Sequence, residues 1–285
     1  MSETIPEVSA EPSAVPAPEK KEDKGSAVWR EIKGLLWVLV AVLLFHSFVA
    51  KPFYIPSESM MPSLLKGDRL VVSKYPYGWS WVSPSFHIFP HWQGRLLGNM
   101  PERGDIVIVT PPGQSDDYIK RVIGLPGDTI EVRGGRLVIN GKPVKSVPRP
   151  PVMVPVDANV PCGMEFSGFQ VVGSDGQPYC RLPIVRETLP NGVSYDTIDL
   201  GQSAGDDYPA VKVPADHVFL MGDNRDRSAD SRFPAVEGGG IGLVPQENLV
   251  GKAMVSVFST DGSANWLLPW TWFTAARWNR IGEGF

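Results

Sequence analysis

What most limits the folds open to this chain is a recurring unit in which a Gly-Asp turn hands on to a short β-branched run. Gly67-Asp68 leads into Arg69-Leu70-Val71-Val72-Ser73, and Gly104-Asp105 leads into Ile106-Val107-Ile108-Val109 before the Pro111-Pro112-Gly113 break. A third run, Asp117-Tyr118-Ile119-Lys120-Arg121-Val122-Ile123-Gly124, closes on Leu125-Pro126-Gly127-Asp128. Val and Ile fit a pleated surface, and Gly and Pro interrupt each run before a helix could build, so the pattern predicts short antiparallel strands. Thr129 to Arg133, the Gly134-Gly135 turn and Arg136 to Ile139 read as a hairpin, followed by an Asn140-Gly141 turn. Strand patterning returns at His217 to Met221 and at Val250 to Phe258. Between them, from about Pro148 to Tyr208, periodicity weakens, as expected of an inserted, looser β subdomain. The 29 Gly and 28 Pro, spread along the soluble part, suit many turns rather than a helical bundle.

One segment departs from this pattern. Between Lys33 and Lys51 lie 17 residues without a formal charge. As a helix rising roughly 1.5 Å per residue they cover about 26 Å, and lysines snorkelling at both ends make up the bilayer crossing. A cleavable signal peptide begins nearer the N-terminus and ends in small residues. This run follows a long polar tail and ends Phe48-Val49-Ala50, so a retained anchor over 31–51 is expected. Residues 1–30, poor in large apolar side chains, are expected to form a disordered tail. Lys20, Lys21, Lys24, Arg30 and Lys33 precede the anchor while Lys51 stands alone until Lys66, which puts the tail in the cytoplasm and the remainder on the outer side. His46 reads as an interfacial polar residue near the outer end of the span.

The fold class expected is therefore mainly β: an antiparallel β catalytic domain over 52–145 and 209–285, an inserted smaller β subdomain over 146–208, and one N-terminal transmembrane helix. Tyr77, Trp79, Trp81, Phe86, Phe89 and Trp92 form one aromatic stretch, expected to rest on a membrane surface. A second, from Trp266 to Trp278, is expected to pack within the protein. A net charge of −4 and the lack of a basic stripe argue against a nucleic-acid partner, because binding phosphates requires clustered cations. Cys162 and Cys180 are too few for a disulfide scaffold, and their spacing leaves a bridge and two free thiols both open.

Candidate chemistry centres on two places. Ile55-Pro56-Ser57-Glu58-Ser59-Met60-Met61-Pro62 carries serines immediately beyond the anchor, but a serine nucleophile needs a base. The histidines are poorly placed: His46 is in the anchor, His87 and His91 are in the aromatic loop, and His217 begins a strand. A lysine base must be neutral at working pH, which requires its pKa to fall by about 3 from the ordinary lysine value, and burial among apolar groups supplies it. Lys120, in strand alternation with Tyr118 and Val122, has those neighbours. The densest polar cluster runs from Gly222 to Arg232. A calcium loop there, with Asp226, Ser228, Asp230 and Glu237 at ligand positions, fails because Ser231 stands where the turn requires glycine. Mutually paired Asp and Arg side chains that brace a site explain it better, and no metal or other cofactor is expected.

Together these runs resemble the bacterial type I signal peptidases, membrane-anchored serine proteases with a Ser-Lys dyad. The resemblance covers the anchor, Ile55 to Leu64, Arg103 to Val109, Tyr118 to Asp128, Gly222 to Arg232 and Val244 to Gly251. It fades between about Lys145 and Val211 and within Tyr77 to Trp92. The resemblance implies Ser59 as nucleophile and Lys120 as general base. It further implies Ser57 with the Ser59 N–H as oxyanion hole, Ser228 orienting the lysine amine, and Asp230 with Arg232 as a bracing ion pair. Ile55, Pro56, Met60, Leu64, Tyr118 and Ile119 would line the pockets for small substrate residues at −1 and −3. Glu58, Arg227 and Phe233-Pro234 depart from the commonest family pattern. The implied partners are preproteins bearing signal peptides, a phospholipid membrane and the export translocon. The rival readings are a dedicated peptidase of the same chemistry and a catalytically silent membrane-tethered β module.

Overall fold

The computed structural model describes residues 24–84, 90–265 and 267–285. Most of the expected tail lies outside them, as do Phe86, His87, Phe89 and Trp266. The first element, helix α1, runs Lys24–Phe48 and so begins earlier than the residue-31 start expected from the sequence. Among the described residues no helix is long and apolar enough to cross a membrane. Arg30, Glu31 and Lys33 occupy its second and third turns, and the chain has already entered a strand at Ala50. The uncharged helical run from Gly34 to Phe48 therefore spans only roughly 22 Å, against a hydrocarbon core of about 30 Å.

Residues beyond the helix are mainly β. The strands, in chain order, are β1 Ala50–Tyr54, β2 Asp68–Ser73, β3 Ile106–Val109, β4 Tyr118–Gly124 and β5 Thr129–Arg133. They continue with β6 Arg136–Ile139, β7 Lys142–Pro143, β8 Lys145–Pro155, β9 Gln170–Val172 and β10 Pro178–Thr188. The last are β11 Ser194–Ile198, β12 Tyr208–Lys212, β13 His217–Met221, β14 Val244–Pro245 and β15 Leu249–Ser259. All the paired strands run antiparallel. A seven-stranded sheet has the order β1-β2-β15-β3-β4-β13-β14. A second sheet has the order β11-β10-β8 with β9 on β10, and a third the order β12-β5-β6-β7.

The Gly-Asp turns work as the sequence suggests. Gly67 and Gly104 sit at φ 100° and 98°, where a side chain is strained, and a Cβ on Gly67 would lie 2.3 Å from Thr260 O. Pro148, Pro150 and Pro151 are accommodated because β8 is an edge strand with most of its residues exposed, so missing N–H donors break no inner ladder. Cys162 and Cys180 form a disulfide, Cα–Cα 5.7 Å, closing a loop of sequence separation 18. A loop of that size corresponds to roughly 3 kcal/mol of restricted unfolded-chain entropy.

Two cores hold the serine segment. Ile55, Met60 and Leu64 pack with Leu70, Ile106, Ile108, Ile119 and Val250 of the large sheet. Met61 and Leu65, interleaved with them, pack instead with Val154, Cys180, Leu182 and Ile198 of the second sheet. Burial of each such side chain contributes about 1.5–3 kcal/mol, so the short stretch around Ser59 is wedged between two sheets rather than left as a free loop.

The aromatic stretches differ in exposure, with Phe86 and Phe89 outside the described residues and Trp92 of the first stretch 40% exposed. Tyr77 is buried and donates to Asp105 at 2.7 Å, Trp81 packs on the first core, and Trp79 Nε1 donates to Phe48 O at 2.9 Å. Trp270, Phe273 and Trp278 are instead 64%, 67% and 58% exposed. The second stretch follows the last strand, and its short helix α2, Trp270–Thr274, buries none of its residues.

Candidate active site

Ser59 lies in the turn after β1 and Lys120 is the third residue of β4; both are buried. Lys120 Nζ stands 2.8 Å from Ser59 Oγ and donates to Ile119 O at 2.9 Å. Burial pulls its amine down from 10.5 to about 8; Asp230 and Asp223 oppose that fall and Arg232 assists it. A lysine amine lowered in this way, beside a serine hydroxyl, has the chemistry of a candidate general base. Ser57 Oγ is 3.4 Å from Ser59 Oγ. Strand alternation is a weaker guide to Lys120 than it looks, because β4 is buried on both faces beyond Tyr118.

Asp230 and Arg232 form a buried ion pair at 2.9 Å, and Asp230 also accepts the Gly222 N–H at 3.1 Å. Ser228 Oγ is enclosed without a hydrogen-bond partner among the described residues, so no hydrogen bond from it orients the Lys120 amine here. It lies instead against Gly222.

Pro56, Ser57, Tyr118, Ile119 and Lys120, with Asp116 and Asp117, line a cleft of about 410 Å³. Ile55, Met60 and Leu64 are 1%, 0% and 0% exposed and lie in the core, so they support the site rather than offer surface to a substrate. A second cleft, about 580 Å³, is lined by Pro56, Ser57, Glu58, Lys66, Asp226, Arg227, Ser228, Ala229 and Phe233. The Ser57 segment therefore borders two clefts of different character, one walled by Tyr118 and Ile119 and one mostly polar.

Residues 28–258, which include every one of these groups, match the family model for signal peptidase, peptidase S26. The chain belongs to that family. It is 34% identical over 270 residues to the signal peptidase I of Rickettsia bellii, covering 88% of this chain and 84% of the relative. The signal peptidase I of Rickettsia typhi is 36% identical over 242 residues, covering 82% and 81%. Among solved structures, a signal peptidase I from Enterococcus faecalis V583 aligns over 54% of this chain and 97% of its own, at 24% identity and TM-score 0.28.

Three features of this S26 peptidase were not separable in its sequence. Asn224 fastens the serine turn, its N–H donating to Ser59 O at 3.1 Å and its side-chain amide to Glu58 O at 3.2 Å. Arg121 pairs with Asp223 through bonds of 2.8 and 2.6 Å, and Ser63 donates to the same carboxylate at 2.5 Å. Gly222 is the third. A Cβ there would sit 2.3 Å from Ser228 Oγ and 2.4 Å from Ser59 O, so glycine lets the polar loop close on the Ser59 backbone. Asp223 and Asn224 stood in a visibly polar run, but only the fold identifies their partners. Gly222→Ala is expected to push the serine turn away and lower kcat on a preprotein about 100-fold, as misplacements near 1 Å do, with the fold retained by circular dichroism. Unchanged kcat contradicts the close-approach argument.

Proposed function

We propose that this chain cleaves N-terminal signal peptides from exported preproteins as a Ser-Lys endopeptidase, with Ser59 as nucleophile and Lys120 as general base. The observation that carries it is the 2.8 Å approach of a fully buried lysine amine, lowered to about 8, to a buried serine hydroxyl. Ser59 Oγ attacks the carbonyl carbon of the −1 residue as neutral Lys120 takes the hydroxyl proton. The oxyanion is met by the Ser57 hydroxyl and the Ser59 N–H, donors that typically contribute about 3–4 kcal/mol each. The protonated lysine then gives its proton to the leaving amine, the C–N bond breaks, and an ester joins Ser59 to the signal peptide. Neutral Lys120 next deprotonates a water that attacks the ester, and the serine regains its proton. Small residues at −1 and −3 would be accepted in the cleft walled by Tyr118 and Ile119 beside Ser57 and Lys120.

Membrane association is part of the proposal, with α1 as the attachment: Leu35 and Trp37 are each 72% exposed, and the Trp270 to Trp278 surface adds apolar area. The Cys162–Cys180 bridge suits an oxidising compartment, consistent with catalysis on the outer side of the cytoplasmic membrane.

The pH profile tests the base. Because the neutral amine is the active form, log kcat/KM should rise one unit per pH unit below about 8 and level off above it. Activity at pH 7 should be roughly a tenth of the plateau. A flat profile between pH 6 and 9 contradicts lysine as the base.

A further inference from the structure

The loop that follows β13 is held from both sides. On one side the Asn224 N–H donates to Ser59 O at 3.1 Å. On the other, the Ile198 N–H donates to Asp223 O and the Arg225 N–H to Ile198 O, both at 2.9 Å. Residues 223–225 thus act as a short strand bridging the nucleophile's backbone to the end of β11 in the second sheet.

Side chains reinforce this bridge. Arg225 donates to both Glu187 carboxylate oxygens, at 2.9 and 2.6 Å, and its Nε donates to Gly222 O at 3.1 Å. Tyr195 donates to Glu187 at 2.8 Å and accepts from Arg225 at 3.3 Å, while its ring lies 4.3 Å beneath the Arg121 guanidinium. Glu187, Tyr195 and Arg225 are 4%, 6% and 6% exposed, so their pairing is not diluted by solvent. Gly222 is therefore pinned at its carbonyl by Arg225 and at its N–H by Asp230, in the place where Ser228 and Ser59 meet. Glu187 and Tyr195 come from β10 and β11, a region where strand patterning is weak in the sequence.

We infer that the second sheet supplies two positioning residues, Glu187 and Tyr195, which act through Arg225 and Gly222 to hold the Ser59 turn in its reactive place. The inference rests on the Ser59–Lys120 chemistry proposed above. Neither residue touches substrate. Their effect should fall mainly on the chemical step, because the bonded path they brace ends at Ser59 O, while the cleft walled by Tyr118 and Ile119 stands on β4 outside it.

The test uses the full-length chain in detergent, with wild type, Glu187→Gln, Glu187→Asp and Tyr195→Phe compared in cleavage of an Ala-x-Ala preprotein and in amide hydrogen exchange. Glu187→Gln should lower kcat tenfold or more with KM within twofold, and should speed exchange at Asn224 and Arg225 at least tenfold while β15 amides stay protected. Glu187→Asp, which restores the charge, should recover at least a third of wild-type kcat. Tyr195→Phe, which keeps the ion pair and remains folded if Glu187→Gln does not, should lower kcat about threefold or more in the same pattern. Wild-type kcat in Tyr195→Phe and Glu187→Gln, or a loss confined to KM or thermal stability, overturns the inference. If wild type itself fails to cleave, the proposed function falls, and the exchange at Asn224 still decides whether the two residues hold the Ser59 turn.

Discussion

Lys120→Met should abolish preprotein cleavage, a loss of about 10⁴-fold or more, and at pH 7 should leave the folded chain more stable than wild type. Loss of activity follows from removing the proposed base. The gain in stability follows from proton linkage. The unfolded lysine keeps its proton up to about 10.5, whereas the folded amine releases it near 8. Between those values the unfolded state binds more protons, so wild-type stability rises with pH; below about 8 the whole handicap is present. A difference of that size corresponds to roughly 3 kcal/mol at pH 7. Methionine keeps the length of the side chain but gives up two hydrogen bonds, each about 1 kcal/mol, so the net gain is about 1–2 kcal/mol. Thermal denaturation at pH 7 should show a rise of about 2–8 °C that shrinks as pH climbs from 8 toward 10.5. A variant less stable at pH 7 would show that the buried lysine is not held against its preference.

Asp223→Ala should destabilise the protein by about 3–5 kcal/mol, because it leaves the Arg121 guanidinium buried without its counter-ion. Arg121 is 5% exposed and Asp223 1%, so water cannot replace the lost carboxylate without opening the site. Urea denaturation of the single variant and of the Arg121→Leu/Asp223→Leu double variant separates pair from partner. The double variant should recover most of the loss, since neither charge is then stranded, while activity stays low because the Ser63 hydroxyl has lost its acceptor. Losses that simply add would mean the two side chains contribute independently.

Much of the fold was legible because β-branched runs and Gly-Asp turns answer to local physics. The runs at Leu70, Ile106, Tyr118, His217 and Val250 became β2, β3, β4, β13 and β15, and the Thr129 to Ile139 hairpin became β5 and β6. The long strands β8 and β10 were hidden: prolines on an exposed edge and a bulge between Leu182 and Ile184 erase the alternation that marks a strand. The expected anchor ran past the end of the helix, because composition does not reveal that the chain turns at Val49 and pairs with β2 from Ala50. Surface or core placement of the two aromatic stretches likewise depended on what else the fold had left to cover.

The candidate dyad was legible only in part. Lys120 is one lysine among several until 61 residues of chain separation are closed to 2.8 Å. Asp230 and Arg232 are close in sequence and could be paired by inspection, whereas Glu187 and Arg225, 38 residues apart, could not. Gly222 carries no chemical signal at all, and its importance is the space it leaves open.

The most direct measurement is cleavage of a preprotein bearing an Ala-x-Ala site by wild type beside Ser59→Ala, with the cut position read by mass spectrometry. The account predicts a single cut after the −1 residue by wild type and none by the variant. Equal cleavage by both, or a wild-type cut elsewhere, would contradict Ser59 as the nucleophile of a signal peptidase.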